Sequence, residues 1–177
     1  FDAGMMYYTP QIWCSDNTDA INRTRIQYGT SFFYPTAVVG SHVSAVPNHQ
    51  TGRITSLNTR GVVAMAGTFG YEMNPALLSS EEKEEIRTQL ATYRRHQELI
   101  REGDYYRIAS YSENHLYDCW AVSAKDKSEV LVTYVQVLST PNAHSRKLYL
   151  KGFEPQAVYR LEETGETFTG EILEKYG

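Results

Sequence analysis

The periodicity of the apolar residues changes once along this chain, close to Gly103. Before Gly103, short apolar runs alternate with segments of helical spacing, which is typical of β/α units built on a parallel sheet. After Gly103, runs rich in Tyr, Val and Leu are separated by Asn, Asp, Lys and Gly, which is typical of antiparallel strands. The change predicts two domains, residues 1–103 and residues 104–177.

The part before Gly103 is predicted to contain three β/α units, each a strand followed by a helix. The strands are expected at residues 5–15, 36–46 and 67–73, and the helices at residues 19–30, 56–66 and 80–102. A closed barrel of eight such units takes about 250 residues, so three units correspond to part of a barrel. The expected fold class is therefore α/β, a partial (β/α)8 TIM-type barrel followed by an antiparallel β-sandwich.

The first predicted helix has an apolar side that is short and incomplete. Ile21, Ile26 and Tyr28 fall on or near one side of it, whereas Arg23 is left free to face water. Gly29 is the expected terminator, because glycine readily adopts the backbone conformation that ends a helix. The pattern thus predicts a helix that buries isoleucine and tyrosine and exposes its arginines.

The third predicted helix carries the clearest signals at its two ends. Ser79 and Glu82 have the spacing of a capping box, in which each side chain bonds to the backbone N–H of the other residue. Gly103 closes the helix. The buried side is expected to follow helical spacing and to consist of Ile86, Leu90, Tyr93, Gln97 and Ile100.

The domain after Gly103 is predicted from strand-forming runs alone. These runs cover residues 105–111, 116–123, 130–138, 147–151 and 157–161. Trp120 lies in the middle of one run and is expected in the core. Cys14 and Cys119 each lie close to a tryptophan in an apolar run, so both are expected to be buried thiols rather than part of a disulfide scaffold.

Composition excludes several classes of partner. The net charge is -4 and no run of Lys or Arg is present, so nucleic acid is not an expected partner. No apolar stretch approaches the length of about 20 residues that spans a bilayer, so no membrane segment is expected. The histidines lack metal-ligand spacing, and no glycine-rich phosphate loop occurs. We therefore expect no metal and no cofactor.

The candidate catalytic residue follows the first predicted strand. The apolar run at residues 12–14 stops at two acids, Asp16 and Asp19, and a helical pattern then begins. A carboxyl group at the C-terminal end of a strand lies where a β/α barrel places its chemistry, which favours Asp16 as a catalytic group. Acidic residues also cap helices, so capping is the alternative for both side chains.

Several motifs resemble the α-galactosidases of glycoside hydrolase family 36. The Trp13-Cys14-Ser15-Asp16 motif is the central one, and the others occur in the same order as in that family, at residues 1–8, 11–20, 26–31, 40–53 and 70–72. The resemblance implies that Asp16 is the general acid/base of a retaining glycosidase. It also implies that the nucleophile is an Asp on an earlier barrel strand, upstream of these residues.

The resemblance further implies a site, a substrate and partners. Trp13 and His42 are candidate substrate-binding residues, and for His42 the residues around it favour a hydrogen-bonded structural role over contact with a sugar. The substrates are α-galactoside oligosaccharides of the melibiose and raffinose type. Without the nucleophile the chain is expected to be inactive alone, and it is expected to form a homo-oligomer or to associate with the missing N-terminal part. A bacterial cytoplasmic location is the expectation.

Two alternative functions remain open from the sequence. A related α-galactosyl transferase, of the raffinose-forming type, would differ from a hydrolase only in the hydroxyl that intercepts the galactosyl intermediate. A non-catalytic carbohydrate-binding domain could be built on residues 104–177. A flat row of exposed aromatic side chains on one face of a sheet would favour this second alternative, and aromatic side chains that point inward would disfavour it.

Overall fold

The computed structural model of this chain describes residues 2–177, and Phe1, the first residue of the family motif, lies outside them. The chain divides into two compact units, with the division between Arg101 and Glu102. Each unit contains its own sheets, and the fold is α/β. Within residues 2–177, no helix combines the length and the apolar character needed to cross a bilayer.

The first unit alternates helices and strands in the order that the sequence predicts. Its elements are α1 (Ala20–Thr30), β1 (Gly40–Ser44), α2 (Leu57–Ala64), β2 (Thr68–Glu72) and α3 (Ser80–Glu102). β1 and β2 pair in parallel, with Gly40 opposite Thr68 and Ser44 opposite Glu72. The parallel pairing confirms the β/α character of this part of the chain.

The strand predicted at residues 5–15 is wrong for most of its length. Residues 3–7 form a turn of 3-10 helix, because the Asp2 side chain accepts a hydrogen bond from the Gly4 N–H at 2.8 Å and caps the turn. Ile12 alone pairs, in a parallel bridge to Val39. Its N–H donates to Val38 O and its carbonyl accepts from Gly40 N–H, both at 2.8 Å. Ile12 is therefore the point at which this segment joins the sheet.

The core of the first unit lies between β1 and the helices α2 and α3. Val43, Leu57 and Ala64 are its buried centre, and the side chains packed around them are Phe69, Tyr71, Met73 and Ile86. Burial of these apolar groups supplies the main favourable free energy of the unit. The side chains of β1 that point away from this core remain available for the site.

The helix α3 begins as predicted, but its buried side differs in three positions. Ser79 and Glu82 form the reciprocal capping box, with the Ser79 N–H donating at 2.9 Å and the Glu82 N–H at 3.1 Å. Gln97 is exposed, whereas Gln89 and His96 are buried. The Gln89 amide donates to Leu57 O at 3.1 Å and accepts from the Tyr71 hydroxyl at 2.8 Å, which compensates for its burial.

The buried face of α1 is polar, which contradicts the prediction of an isoleucine face. Arg23, Thr24 and Gln27 are buried, while Ile21, Ile26 and Tyr28 are only partly buried. This face meets hydrogen-bonding groups of β1 rather than apolar side chains, since the Gln27 amide donates to the Ser41 hydroxyl. Gly29 lies inside the helix, which ends at Thr30, so the predicted terminator is also wrong.

The second unit contains two antiparallel sheets. Its elements are β3 (Asp104–Ala109), α4 (Tyr111–Asn114), β4 (Tyr117–Ser123), β5 (Val130–Gln136), β6 (Val158–Arg160), β7 (Thr167–Thr169) and α5 (Gly170–Lys175). The strand orders are β3-β4-β5 and β6-β7. The predicted strand at residues 147–151 is absent from the described chain, and β7, α4 and α5 were not predicted. Ser110 and Thr169 cap the two short helices, a signal that the strand pattern obscures.

Two tyrosines of the second unit, on the neighbouring strands β4 and β5, have adjacent rings. The rings of Tyr117 and Tyr134 lie 5.3 Å apart with a 34° tilt, and the Arg146 guanidinium covers Tyr117 at 4.2 Å. Trp120 is buried, as predicted. Cys119 is also buried, whereas Cys14 is only partly buried, so the prediction for Cys14 is wrong.

Candidate functional site

Asp16 lies in the loop between Ile12 and α1, where its carboxylate accepts a hydrogen bond from the Trp13 indole. The distance from Trp13 Nε1 to Asp16 Oδ1 is 3.1 Å. Asp19, not Asp16, caps α1, because Asp19 Oδ1 accepts from the Asn22 N–H at 2.9 Å. The structure thus assigns the capping role to Asp19 and leaves the Asp16 carboxylate for other interactions.

The structure brings Trp13 together with His42, the other candidate substrate-binding residue. Their ring centroids lie 4.9 Å apart. His42 is half-buried on β1 and pairs with Gly70 of β2, where a Cβ would lie 3.0 Å from the imidazole. A glycine at position 70 therefore leaves room for the ring. Trp13 thus links the Asp16 carboxylate, in the loop before α1, to the His42 imidazole on β1.

Two charged residues of this group were not found from the sequence. Glu72 is the last residue of β2 and lies on the same side of the sheet as His42, since alternate residues of a strand share a face. Its signal was available, because it is an acid at a strand end, as Asp16 is. Arg23 was assigned to solvent, yet its guanidinium lies 5.4 Å from the centroid of the Trp13 ring.

A second network fixes the chain just after Asp16. Asp19 is buried, forms an ion pair with Arg53, and accepts from the Thr51 hydroxyl at 2.9 Å. Asn48 is also buried and accepts from the backbone N–H of Thr51 at 3.0 Å, while its amide donates to Thr18 Oγ1 at 3.2 Å. These contacts tie the loop after β1 to the start of α1.

The neighbours of Asp16 leave its side chain open in the described structure. Asp16 is exposed, and Trp13 is 42% exposed. A cavity of about 420 Å³ adjoins Trp13 and Cys14 on the side of the α1 C-terminus, and neither Asp16 nor His42 lines it. Within these residues, Asp16 is thus an open carboxylate held by one indole hydrogen bond.

The surroundings of His42 lower its pKa below the ordinary value of 6.5. Burial is the main cause, and the positive charge of Arg23 acts in the same direction, whereas the negative charge of Glu72 opposes both. The imidazole is therefore neutral at pH 7, with one nitrogen available to accept a hydrogen bond from a hydroxyl group. A neutral ring beside an indole suits contact with an uncharged ligand.

A measurement of the pKa of His42 tests this electrostatic arrangement. In a pH titration followed by NMR of the imidazole C–H signals, His42 should titrate below 6.5. Glu72→Gln should lower its pKa further, because the opposing charge is removed. The unfolded chain binds the proton more readily, so this group should destabilise the fold as pH falls below 6.5. A value unchanged by Glu72→Gln would contradict the role of Glu72.

Comparison with known families accounts for both units. Residues 1–103 match the Melibiase family, and residues 117–177 match the glycosyl hydrolase family 36 C-terminal domain. The bifunctional alpha-galactosidase/sucrose kinase AgaSK of Mediterraneibacter gnavus is 56% identical over 173 residues, which is 98% of this chain and 18% of AgaSK. Alpha-galactosidase AgaA of Geobacillus stearothermophilus is 48% identical over 165 residues, 93% of this chain and 22% of AgaA.

Solved structures of the same relatives superpose closely on the chain. The galactosidase domain of AgaSK gives a TM-score of 0.96 at 55% identity, and a variant of AgaA in complex with raffinose gives 0.96 at 46% identity. Each comparison covers 100% of this chain and 24% of the solved chain. The chain thus spans less than a quarter of the length of these relatives. The chain belongs to the melibiase family, glycoside hydrolase family 36.

Proposed function

We propose that this chain supplies the general acid/base of a retaining α-galactosidase, with Asp16 in that role. The observation that carries the proposal is the hydrogen bond from the Trp13 indole to the Asp16 carboxylate, together with the contact of the same indole with His42 of β1. Membership of family 36 supports the assignment. In this proposal the first unit is part of a (β/α)8 barrel, and the second belongs to a β-sandwich domain.

The proposed chemistry needs two carboxyl groups about 5 Å apart on either side of the anomeric carbon. One forms an ester with the galactosyl group, and we propose that this nucleophile lies outside the present residues. Asp16 donates a proton to the departing glycosidic oxygen. It then removes a proton from the water that hydrolyses the ester. The indole N–H of Trp13 orients the Asp16 carboxylate, and the flat ring offers an apolar surface to the sugar.

The proposed substrates are α-galactoside oligosaccharides. Variants of AgaA have been solved in complex with raffinose and with stachyose, which supports a sugar leaving group for the present chain as well. A sugar alkoxide is a poor leaving group, so an acid that donates a full proton is required. We further propose that the active species is an assembly, either with a larger barrel portion or with other copies.

The test uses a chimera, called here the carrier enzyme, in which these 177 residues replace the matching segment of the AgaSK galactosidase domain. We expect the carrier enzyme to release galactose from raffinose and from 4-nitrophenyl α-galactoside. The isolated 177-residue chain should release none, because it lacks the nucleophile. Product analysis by chromatography separates free galactose, which indicates hydrolysis, from galactosylated sugars, which indicate transfer.

Each outcome of this experiment decides the proposal. A folded carrier enzyme that is inactive on both substrates would overturn it, provided that the unmodified AgaSK domain is active in parallel. Activity of the isolated chain would overturn the assignment of the nucleophile to another segment. Predominant formation of galactosylated products from raffinose at low sugar concentration would replace the hydrolase with the transferase.

A further inference from the structure

The Arg23 guanidinium contacts residues 13–16, the segment that is called the acid loop below. Arg23 is only 2% exposed although it belongs to a surface helix. Its Nη1 donates to Ser15 O at 3.3 Å and contacts Cys14 Sγ at 3.7 Å. Its Nη2 donates to Gly40 O at the start of β1. One guanidinium group therefore bonds to the acid loop and to the adjacent strand at once.

The same group also packs against the residue that holds the acid. The guanidinium carbon lies 5.4 Å from the centroid of the Trp13 ring, within the range of a cation–π interaction. Trp13 in turn donates to Asp16, and Ser15 immediately precedes Asp16. Arg23 thus contacts both covalent and hydrogen-bonded neighbours of the carboxylate without touching the carboxylate itself.

Arg23 differs from the arginine of an ordinary structural ion pair because it has no acidic partner among residues 2–177. Buried arginines are usually paired with carboxylates, because an isolated buried charge is costly. In the described part of the chain, no carboxylate forms an ion pair with Arg23, and its donors go to backbone carbonyls. The contacts that compensate for its burial are therefore those that fix the acid loop to β1.

We propose that Arg23 is a positioning residue that holds Trp13 and Asp16 in the geometry required for proton donation. The inference rests on the proposed role of Asp16 as general acid. The planar guanidinium reaches Ser15 O and Gly40 O in different directions and presents a flat face to the indole. A lysine ammonium keeps the charge but cannot reproduce this fork. Loss of the fork releases the acid loop from β1.

Arg60 provides a matched control for the burial of an arginine. It is 6% exposed on α2, and it also bonds to backbone carbonyls, with Nη1 at 2.6 Å from Ser44 O and Nε at 3.0 Å from Thr55 O. It makes no contact with the acid loop among the described residues. Arg60→Lys therefore removes a comparable set of structural hydrogen bonds without altering the acid.

The experiment compares Arg23→Lys, Arg60→Lys and Asp16→Ala in the carrier enzyme. The measured quantity is the ratio of kcat/KM for 4-nitrophenyl α-galactoside to kcat/KM for raffinose, below the melting temperature of every variant. Misplacing a catalytic group by about 1 Å costs on the order of 100-fold, so Arg23→Lys should raise this ratio on the order of 10 to 100-fold. Arg60→Lys should leave it unchanged. Loss of Arg23 should also broaden or shift the alkaline limb of the pH profile for raffinose, where the general acid loses its proton.

The outcomes separate the two proposals. If Asp16→Ala raises the ratio and Arg23→Lys does not, the positioning role is wrong and the acid assignment stands. If Asp16→Ala leaves the ratio of the two kcat/KM values unchanged, the assignment of Asp16 as the general acid is wrong, whatever the result for Arg23→Lys. If Arg23→Lys does not fold, the same ratio is measured for Arg23→Gln, whose side-chain amide can still donate to one of the two carbonyls. Failure of both Arg23 variants to fold, while Arg60→Lys folds, would assign Arg23 to stability alone and overturn the inference.

Discussion

Asp16→Ala in the carrier enzyme should lower kcat/KM for raffinose by about 10² to 10⁴-fold, the usual contribution of a general acid. The loss on 4-nitrophenyl α-galactoside should be far smaller, because a nitrophenolate leaves readily with little protonation. Steady-state kinetics on both substrates measures the difference. Added azide should then accelerate turnover of the nitrophenyl substrate by the variant, since azide attacks the trapped β-galactosyl ester without needing a base. The expected product is α-galactosyl azide.

Asp19→Ala is the matched control for this experiment. Asp19 is a carboxylate three residues further along the chain, and its bonds to Asn22 and Arg53 make it a structural group. Its loss should cost at least the roughly 1 kcal/mol that is usual for an N-cap, because the bonds to Thr51 and Arg53 are lost as well, and it should reduce both activities in parallel. Equal losses on the two substrates for Asp16→Ala, with no effect of azide, would remove Asp16 from the catalytic role.

Gly67→Ala should destabilise the first unit by about 3 kcal/mol or more, because the added methyl group has no space. A Cβ at position 67 would lie 2.4 Å from Val39 O and 2.9 Å from Thr36 O. Both atoms belong to the backbone, and Val39 O already accepts from the Thr68 N–H at 2.8 Å. Relief of the clash must therefore displace the parallel pairing that positions β1. Urea unfolding followed by circular dichroism measures the loss.

Gly29→Ala is expected to have the opposite sign. Gly29 lies within α1, and a Cβ there would meet no atom within 4 Å. Alanine is favoured over glycine inside a helix by about 1 kcal/mol, so this variant should be equally stable or more stable. A Gly67→Ala chain that unfolds at the same urea concentration as Gly29→Ala would contradict the close approach of residues 36–39 to β2.

The sequence predicted best where local signals were complete. The helix α3 was predicted at its observed bounds because its capping box and long helical periodicity agree. The strands β1 and β2 were predicted from short apolar runs and confirmed, with ends shifted by a few residues. The strand expected at residues 5–15 does not form over most of that range. The Asp2 side chain caps a turn of 3-10 helix there, and several side chains after it are exposed rather than packed in a sheet.

The site was found only in part from the sequence. Asp16, Trp13 and His42 were identified, and in the structure Trp13 contacts both of the others. Arg23 was missed because a charged residue on a helix ordinarily faces water, and only the tertiary fold supplies the carbonyls that its guanidinium reaches. Glu72 was missed although it is an acid near the end of a predicted strand, because its relation to His42 depends on strand register, which the single sequence does not define.

The polar underside of α1 determines how that helix is held in place. An apolar face gains free energy gradually as area is removed from water, whereas the bonds of Arg23 and Gln27 form only at the correct distance and direction. α1 should therefore detach from β1 together with the acid loop, as one cooperative opening. Backbone amides from Trp13 to Thr30 should then exchange with solvent deuterium at a common rate, faster than those around Val63. The proposed proton donor, Asp16, would thus belong to a segment that opens as one unit, separately from the core around Val63.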